Sequence, residues 1–275
     1  MIIDAHQHFW QLARGDYGWL TPDLKPLYRD FVPDDLIPLL QRHDVDGTIL
    51  VQAAPTTGET EFLLEIAEKT PFVLGVVGWT DFSAASAARD IERLAQYPQL
   101  VGLRPMIQDI EDDDWMLRRD LAPAFEAMMA CNLTFDALVL PRHLPKLLQL
   151  VIRYPELRTV IDHAAKPDIA GGQFETWAAN IAMIAKESQA YCKLSGLLTE
   201  AGTDWTAKDL APYITHLMSN FGPGRIVWGS DWPVLTMAAS YDIWMDVSKT
   251  FVLGQSERNK VFGVTALELY NISRN

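Results

Sequence analysis

The chain has 275 residues, 49% of them hydrophobic, and a formal charge of −13. Those values exclude a disordered chain and suit one large core, at a length close to the ~250 residues of an eight-fold βα barrel. An acidic balance without a Lys/Arg run argues against nucleic acid or an anionic membrane as a partner.

The chain opens on Met1-Ile2-Ile3-Asp4-Ala5-His6-Gln7-His8, in which Ile2, Ile3 and Ala5 read as a short buried strand. Alternation along a strand sends His6 and His8 to one side, with Asp4 behind them. Two imidazoles at a strand end can grip one metal ion, or bind and protonate an anionic oxygen. Asp4, His6 and His8 interrupt any apolar leader, so no signal peptide is expected. No stretch approaches the ~20 apolar residues of a membrane span. Cys131 and Cys192 form no CxxC motif and no disulfide framework, which suits a reducing, cytoplasmic setting.

Residues 9–32 lack periodicity and carry Phe9, Trp10, Tyr17, Trp19 and Tyr28. A long aromatic loop is expected there, covering a pocket or capping one barrel end. A helix is expected over 33–43, opened by Pro33, Asp34 and Asp35. A strand over 47–52, an amphipathic helix over 59–69 and a strand over 72–79 follow. Ser83 is the expected N-cap of an Ala-rich helix reaching Gln96, and a strand over 100–104 stops at Pro105. The run Glu111-Asp112-Asp113-Asp114 reads as a solvated loop before a helix ending near Cys131. Strands are expected over 133–139, 158–163, 191–196 and 225–231, with helices over 144–154, 174–189 and 206–221 between them. His143 falls at the start of the first of those helices. Helices near 241–251 and 256–270 close the chain.

Strict strand–helix alternation implies parallel pairing, and eight such units in this length imply an α/β fold: a (β/α)8 TIM barrel, one domain over 1–275. An open doubly wound sheet is the competing fold, but no GxGxxG or GxxxxGK[ST] turn supports it. Barrel enzymes build their sites at the C-terminal strand ends. Those ends are His6 and His8, Gln52, Trp79, Arg104, Asp136, His163, Ser195 and Asp231. Alternation sends His163 inward with Ile161 and Asp162 outward. Asp231, near histidines, is a natural general base for water, and Arg104 can hold a developing oxyanion.

The ordered set of Asp4-Ala5-His6-Gln7-His8-Phe9-Trp10, Gly102-Leu103-Arg104, Asp162-His163-x-x-Lys166-Pro167, Lys193-Leu194-Ser195-Gly196 and Gly229-Ser230-Asp231-Trp232-Pro233 resembles the amidohydrolase superfamily. Within it, the chain is similar to the branch that hydrolyses sugar lactones such as L-fuconolactone and L-rhamnonolactone. The resemblance implies a small-molecule sugar lactone as partner and Asp231 as the base that activates water. It implies that His6, His8, His163 and Arg104 bind the carbonyl oxygen. Placement suggests Trp10, Gln52, Trp79 and Trp232 for the sugar hydroxyls. Metal-rich members also place a Lys or Glu after strand four and a His after strand five; here strand four ends in Arg104 and 134–139 contains no histidine. No required metal is therefore expected, with one Zn²⁺ on His6, His8, His163 and Asp231 as the alternative. A zinc-dependent decarboxylase and a non-catalytic binding barrel stay open as other readings.

Overall fold

The computed structural model describes residues 1–273. In chain order its elements are β1 (Ile3–Gln7), α1 (Pro33–Arg42), β2 (Gly47–Val51), α2 (Thr57–Lys69), β3 (Val73–Gly78), α3 (Ala87–Leu94), β4 (Leu100–Leu103) and α4 (Ala122–Ala130). The second half contributes β5 (Thr134–Ala137), α5 (Leu144–Arg153), β6 (Thr159–Ile161), α6 (Glu175–Glu187), β7 (Tyr191–Leu194), α7 (Leu197–Glu200), α8 (Ala207–Phe221) and β8 (Ile226–Trp228). The chain ends in α9 (Tyr241–Phe251), α10 (Gln255–Asn259) and α11 (Thr265–Leu269). Neighbouring strands pair in parallel in the order β1 to β8. The seam between β8 and β1 is closed by Asp231 N to His6 O (2.8 Å) and His8 N to Trp232 O (2.8 Å). The result is the expected (β/α)8 barrel, closed by the very segments that carry its ionisable residues.

Two apolar layers hold it together. Ile3, Ala5, Ile49, Val51, Val77, Val101, Val160 and Val227 fill the lower interior, plugged from below by Ala266, Leu267, Leu269 and Tyr270. The other faces of the strands, Leu50, Val76, Leu103, Phe135 and Ile161 among them, pack on the surrounding helices. Side chains of strictly alternating strands divide in this way between barrel interior and helix layer. No helix among the described residues is long and apolar enough to cross a membrane.

Three sequence expectations need correction. The strands are shorter than their apolar runs, because the chain leaves the ladder where polar residues begin; Asp162–Ala165 is already a tight turn. Ser83 does not cap α3. Its N–H bonds Asp81 Oδ1 (2.8 Å) and Ala84 N bonds Asp81 O (3.2 Å), so a turn occupies 81–84 and α3 starts at Ala87. The helix expected over 256–270 is broken into α10, a wide turn at Lys260–Val264, and α11. There the backbone passes Met1 so closely that a Cβ on Gly263 would lie 2.5 Å from the Met1 carbonyl oxygen. The 9–32 segment is a loop, as expected, but a fastened one. Trp10 and Phe31 exchange backbone bonds (3.0 and 2.9 Å), and Trp19 Nε1 donates to Ala53 O (2.8 Å).

Candidate active site

The strand-one histidines reach the mouth through an irregularity. Ile3 and Ala5 point into the lower barrel, so strict alternation would turn His6 outward. The register with β2 shifts between Asp4 and Gln7, and His6 joins His8 on the inner side. Asp4 stays outside, correcting the expectation that it lies behind them on the same face. Its carboxylate accepts from Ser230 N (2.8 Å), His6 N (3.2 Å) and Tyr241 OH (3.1 Å), tying β1 to β8 and α9. Burial outweighs those bonds and pushes its carboxyl up to about 6.

A buried layer of charge lies above the apolar plug. Lys193 Nζ donates to Asp136 Oδ2 (2.5 Å), lies 2.9 Å from Asp162 Oδ1 and 3.1 Å from His6 Nδ1. Arg104 Nη1 donates to Asp162 Oδ2 (3.2 Å) and lies 3.3 Å from His6 Nε2. Two carboxylates thus face two cations, the balance that makes buried charge tolerable. Burial raises the Asp136 carboxyl to about 6. Burial opposes ionisation of Asp162 too, but Lys193 and Arg104 together hold it low. Burial and the neighbouring Lys193 keep His6 far below the usual imidazole range, hence neutral. Asp162 points into the barrel and Ile161 outward, the reverse of the expected alternation.

His163 then needs a second device to reach the same side. Residues His163, Ala164, Ala165 and Lys166 all have positive φ, between 50° and 62°. Consecutive left-handed residues without glycine are costly and cluster at functional sites. The turn aims both His163 and Lys166 at the mouth. Asp231 is likewise left-handed, at φ 60°. Two glycines make room. A Cβ on Gly196 would meet the His163 ring at 2.5 Å, and one on Gly229 would meet His6 Cβ at 2.7 Å.

Asp231 Oδ1 is the point of convergence: His8 Nε2 at 3.2 Å, His6 Nε2 at 3.7 Å and His163 Nε2 at 4.0 Å. Burial pushes the Asp231 carboxyl up, but His163, the His8 hydrogen bond and Lys166 outweigh it and hold it below its usual value. Burial lowers His163 to about 4 despite the nearby Asp231 and Asp162. His8, Arg104, His163, Lys166 and Asp231 line a cavity of about 290 Å³, with Trp19, Met106 and Asp109 on its far wall.

The structure therefore brings His6, His8, His163, Arg104 and Asp231 together. It sets the four residues expected at the sugar elsewhere. Trp10 is fully buried, its indole N–H on Arg29 O (2.8 Å), because it anchors the loop. Trp232 packs on Phe9 and Phe31 within the core. Gln52 is spent on Arg104: its Nε2 donates to Arg104 O (2.7 Å), and its own carbonyl accepts from Arg104 Nη2. Trp79 lines a neighbouring cavity. Sequence reasoning named Lys193, Asp162 and Lys166 in its motifs and Trp19 in the loop, but gave none of them a role in the site. A lysine inside an apolar strand, Tyr191–Leu194, was the available signal, since lysine is almost never fully buried unless paired.

The donor set fits one divalent ion. Ligand atoms of His6, His163 and Asp231 all lie within 4.8 Å of one another. His8 and His163 also direct their Nδ1 atoms to Val51 O (2.7 Å) and Ser195 Oγ (2.9 Å), the arrangement that leaves Nε2 for a cation. A second ion has no home here, because strand four ends in Arg104 and Asp136 on β5 is committed to Lys193.

The chain is also similar to known proteins. The family model described as Amidohydrolase matches residues 3–272. An L-fucono-1,5-lactonase of Burkholderia ambifaria is 47% identical over 99% of this chain and 96% of its own. One from Burkholderia multivorans is 35% identical over 98% and 95%. A solved amidohydrolase structure from Burkholderia multivorans with bound Zn is 35% identical, covers 99% of this chain and 100% of that one, and superposes with a TM-score of 0.92.

Proposed function

The chain belongs to the amidohydrolase family, and from that premise we propose that it is a lactonase, a hydrolase that opens lactones of sugar acids of the L-fuconolactone kind to the free aldonic acid. The observation that carries the reading is Asp231, a carboxylate held ionised within 4.0 Å of three imidazoles, in one cavity with Arg104. The identity to L-fucono-1,5-lactonases supports the substrate class.

In the proposed reaction Asp231 takes a proton from water as the oxygen attacks the lactone carbonyl. Positive charge from Arg104 and an imidazole N–H from His6, whose Nδ1 faces Lys193, hold the resulting oxyanion beside His8 and His163. The acyl C–O bond then breaks, and the ring oxygen leaves as the sugar hydroxyl with the proton returned through Asp231. Lys193 and Asp162 position His6 and Arg104 beneath. A lactone is an activated ester, so an acidic carboxylate suffices as base where an amide would need more help. Arg104 reaches the cavity itself and can hold the oxyanion, so we assign no required metal.

One observation favours a second reading: the bound Zn of the Burkholderia multivorans relative. His6, His163 and Asp231, with His8 beside them, would hold a single ion here, and it would act as a Lewis acid on the carbonyl. A zinc decarboxylase gains no such support, because β5 carries no histidine and its Asp136 is paired with Lys193. A pH-indicator assay of chelated protein against a panel of sugar lactones, with metal content read on the same sample, tests the proposal. Acid release without metal is expected. Loss on chelation with recovery on Zn²⁺ would establish the metal reading, and silence in both states would refute the lactonase.

A further inference from the structure

The wall of the catalytic cavity is shared. Trp19, Met106 and Asp109 line it on one side and line a second cavity, of about 510 Å³, on the other. Nothing in ring opening uses that second space. The first cavity, about 290 Å³, sits at the low end of the roughly 300–1,000 Å³ usual for ligand sites. It has room for one sugar ring, and a substituent that extends past Met106 and Asp109 would meet the second.

The chemistry of the second cavity is specific. Trp19, Trp79 and Trp115 line it, with Asp16, Asp81 and Asp109 among them. Flat indole faces suit the C–H faces of a pyranose, and carboxylates accept from its hydroxyls. Among the described residues no Lys or Arg lines this cavity, whereas Arg104 and Lys166 line the catalytic one. An anionic substituent would meet carboxylates with no cation beside them, and a purely apolar one would take water from those carboxylates without replacing it.

We propose that this second cavity is a subsite for a neutral glycosyl ring carried by the lactone, so that the chain opens lactones of aldobionic acids as well as simple aldonolactones. The bond chemistry is unchanged: water adds to the lactone carbonyl, the acyl C–O bond breaks, and the glycosidic bond stays intact. The proposal rests on the lactonase reading and extends it to a second ring.

The test compares the best simple aldonolactone with the same lactone bearing one glucosyl ring on each free hydroxyl in turn. Ser83 and Ile110, which line only the second cavity, are replaced in Ser83→Trp and Ile110→Trp to fill it. At least one glucosyl-lactone should be opened with kcat/KM within about tenfold of the parent. Each variant should lower that value by about tenfold or more and leave the parent within about twofold. The glucuronosyl counterpart should be opened about tenfold more slowly than the glucosyl one. A parent that is opened while every glucosyl-lactone is refused overturns the subsite. So does an equal loss on both substrates in both variants. Failure of the parent itself would sink the lactonase reading, and the subsite with it.

Discussion

The barrel interior has two halves built on the same eight strands. The lower half is hydrocarbon, Ile3, Ile49, Val51, Val77, Val160 and Val227 over the Leu267 and Leu269 plug. The upper half buries His6, Arg104, Asp136, Asp162 and Lys193, and then His8, His163 and Asp231. Each fully buried aliphatic side chain below contributes roughly 1.5–3 kcal/mol from area alone. The charges above earn no such return, since desolvation offsets their mutual attraction. What keeps them in place is completeness: every cation there has an anion, and removing one member strands another.

The difference is sharpest at Asp231. Asp231→Asn keeps the side-chain shape and removes the proton acceptor, so folding should survive while kcat/KM on the best lactone falls by about 10²–10⁴. Thermal midpoint and lactone turnover on one sample decide it. Turnover near wild type would show that the upper half is not organised around this carboxylate.

Stability separates the halves next. Lys193→Met leaves Asp136 and Asp162 facing each other without their shared cation, and should cost about 3–5 kcal/mol in urea unfolding. Ile49→Val, a fully buried change in the lower half, should cost only about 0.5–1.5 kcal/mol. Adding Asp136→Asn to Lys193→Met should recover part of the loss. Equal costs for the two single variants would erase the distinction between the layers.

The lower half and the strand ends could be read from sequence; the means by which side chains reach the mouth could not. Valine- and isoleucine-rich runs separated by helical patterns gave eight strands with boundaries within three residues of those observed. The convergence of His6, His8, Arg104, His163 and Asp231 followed from the barrel itself. Alternation then failed at three places for local reasons: the register shift before Gln7, the inward Asp162, and the left-handed turn from His163 to Lys166. No periodicity encodes a bulge. Of the tryptophans expected at the sugar, Trp10 and Trp232 pack in the core and Trp79 lines the neighbouring cavity, because an aromatic ring near a mouth packs as readily as it binds; the exposed Trp19 lines the catalytic cavity.

A smaller effect probes the rim. Glu59 of α2 is buried with its carboxylate on Ala53 N (3.0 Å) and Ala54 N (2.8 Å), and burial raises it to about 7. A folded-state value above the unfolded one means that its stabilisation is complete below the unfolded pKa and lost as pH rises through the folded one. Relative to wild type, Glu59→Gln should therefore gain up to about 3 kcal/mol between pH 4 and pH 8. The difference between the two proteins isolates Glu59 from the other buried groups, and a pH-independent difference would place that carboxylate in water.

The smallest effect is expected where a metal-rich barrel would show a large one. His143 lies past the end of β5, in the turn that opens α5, and is fully buried. Its Nδ1 accepts from Leu140 N (3.0 Å) and its Nε2 lies 3.2 Å from Asp113, on the acidic loop. It lines neither the catalytic cavity nor its neighbour. His143→Ala should thus cost roughly 1–3 kcal/mol for the orphaned Leu140 N–H and leave kcat/KM within about twofold. A folded but inactive variant would mean that this ring swings to the mouth and serves as the strand-five ligand. The site would then be a metal centre that Arg104 and Lys193 merely border, and the charged upper half would exist to hold an ion rather than to replace one.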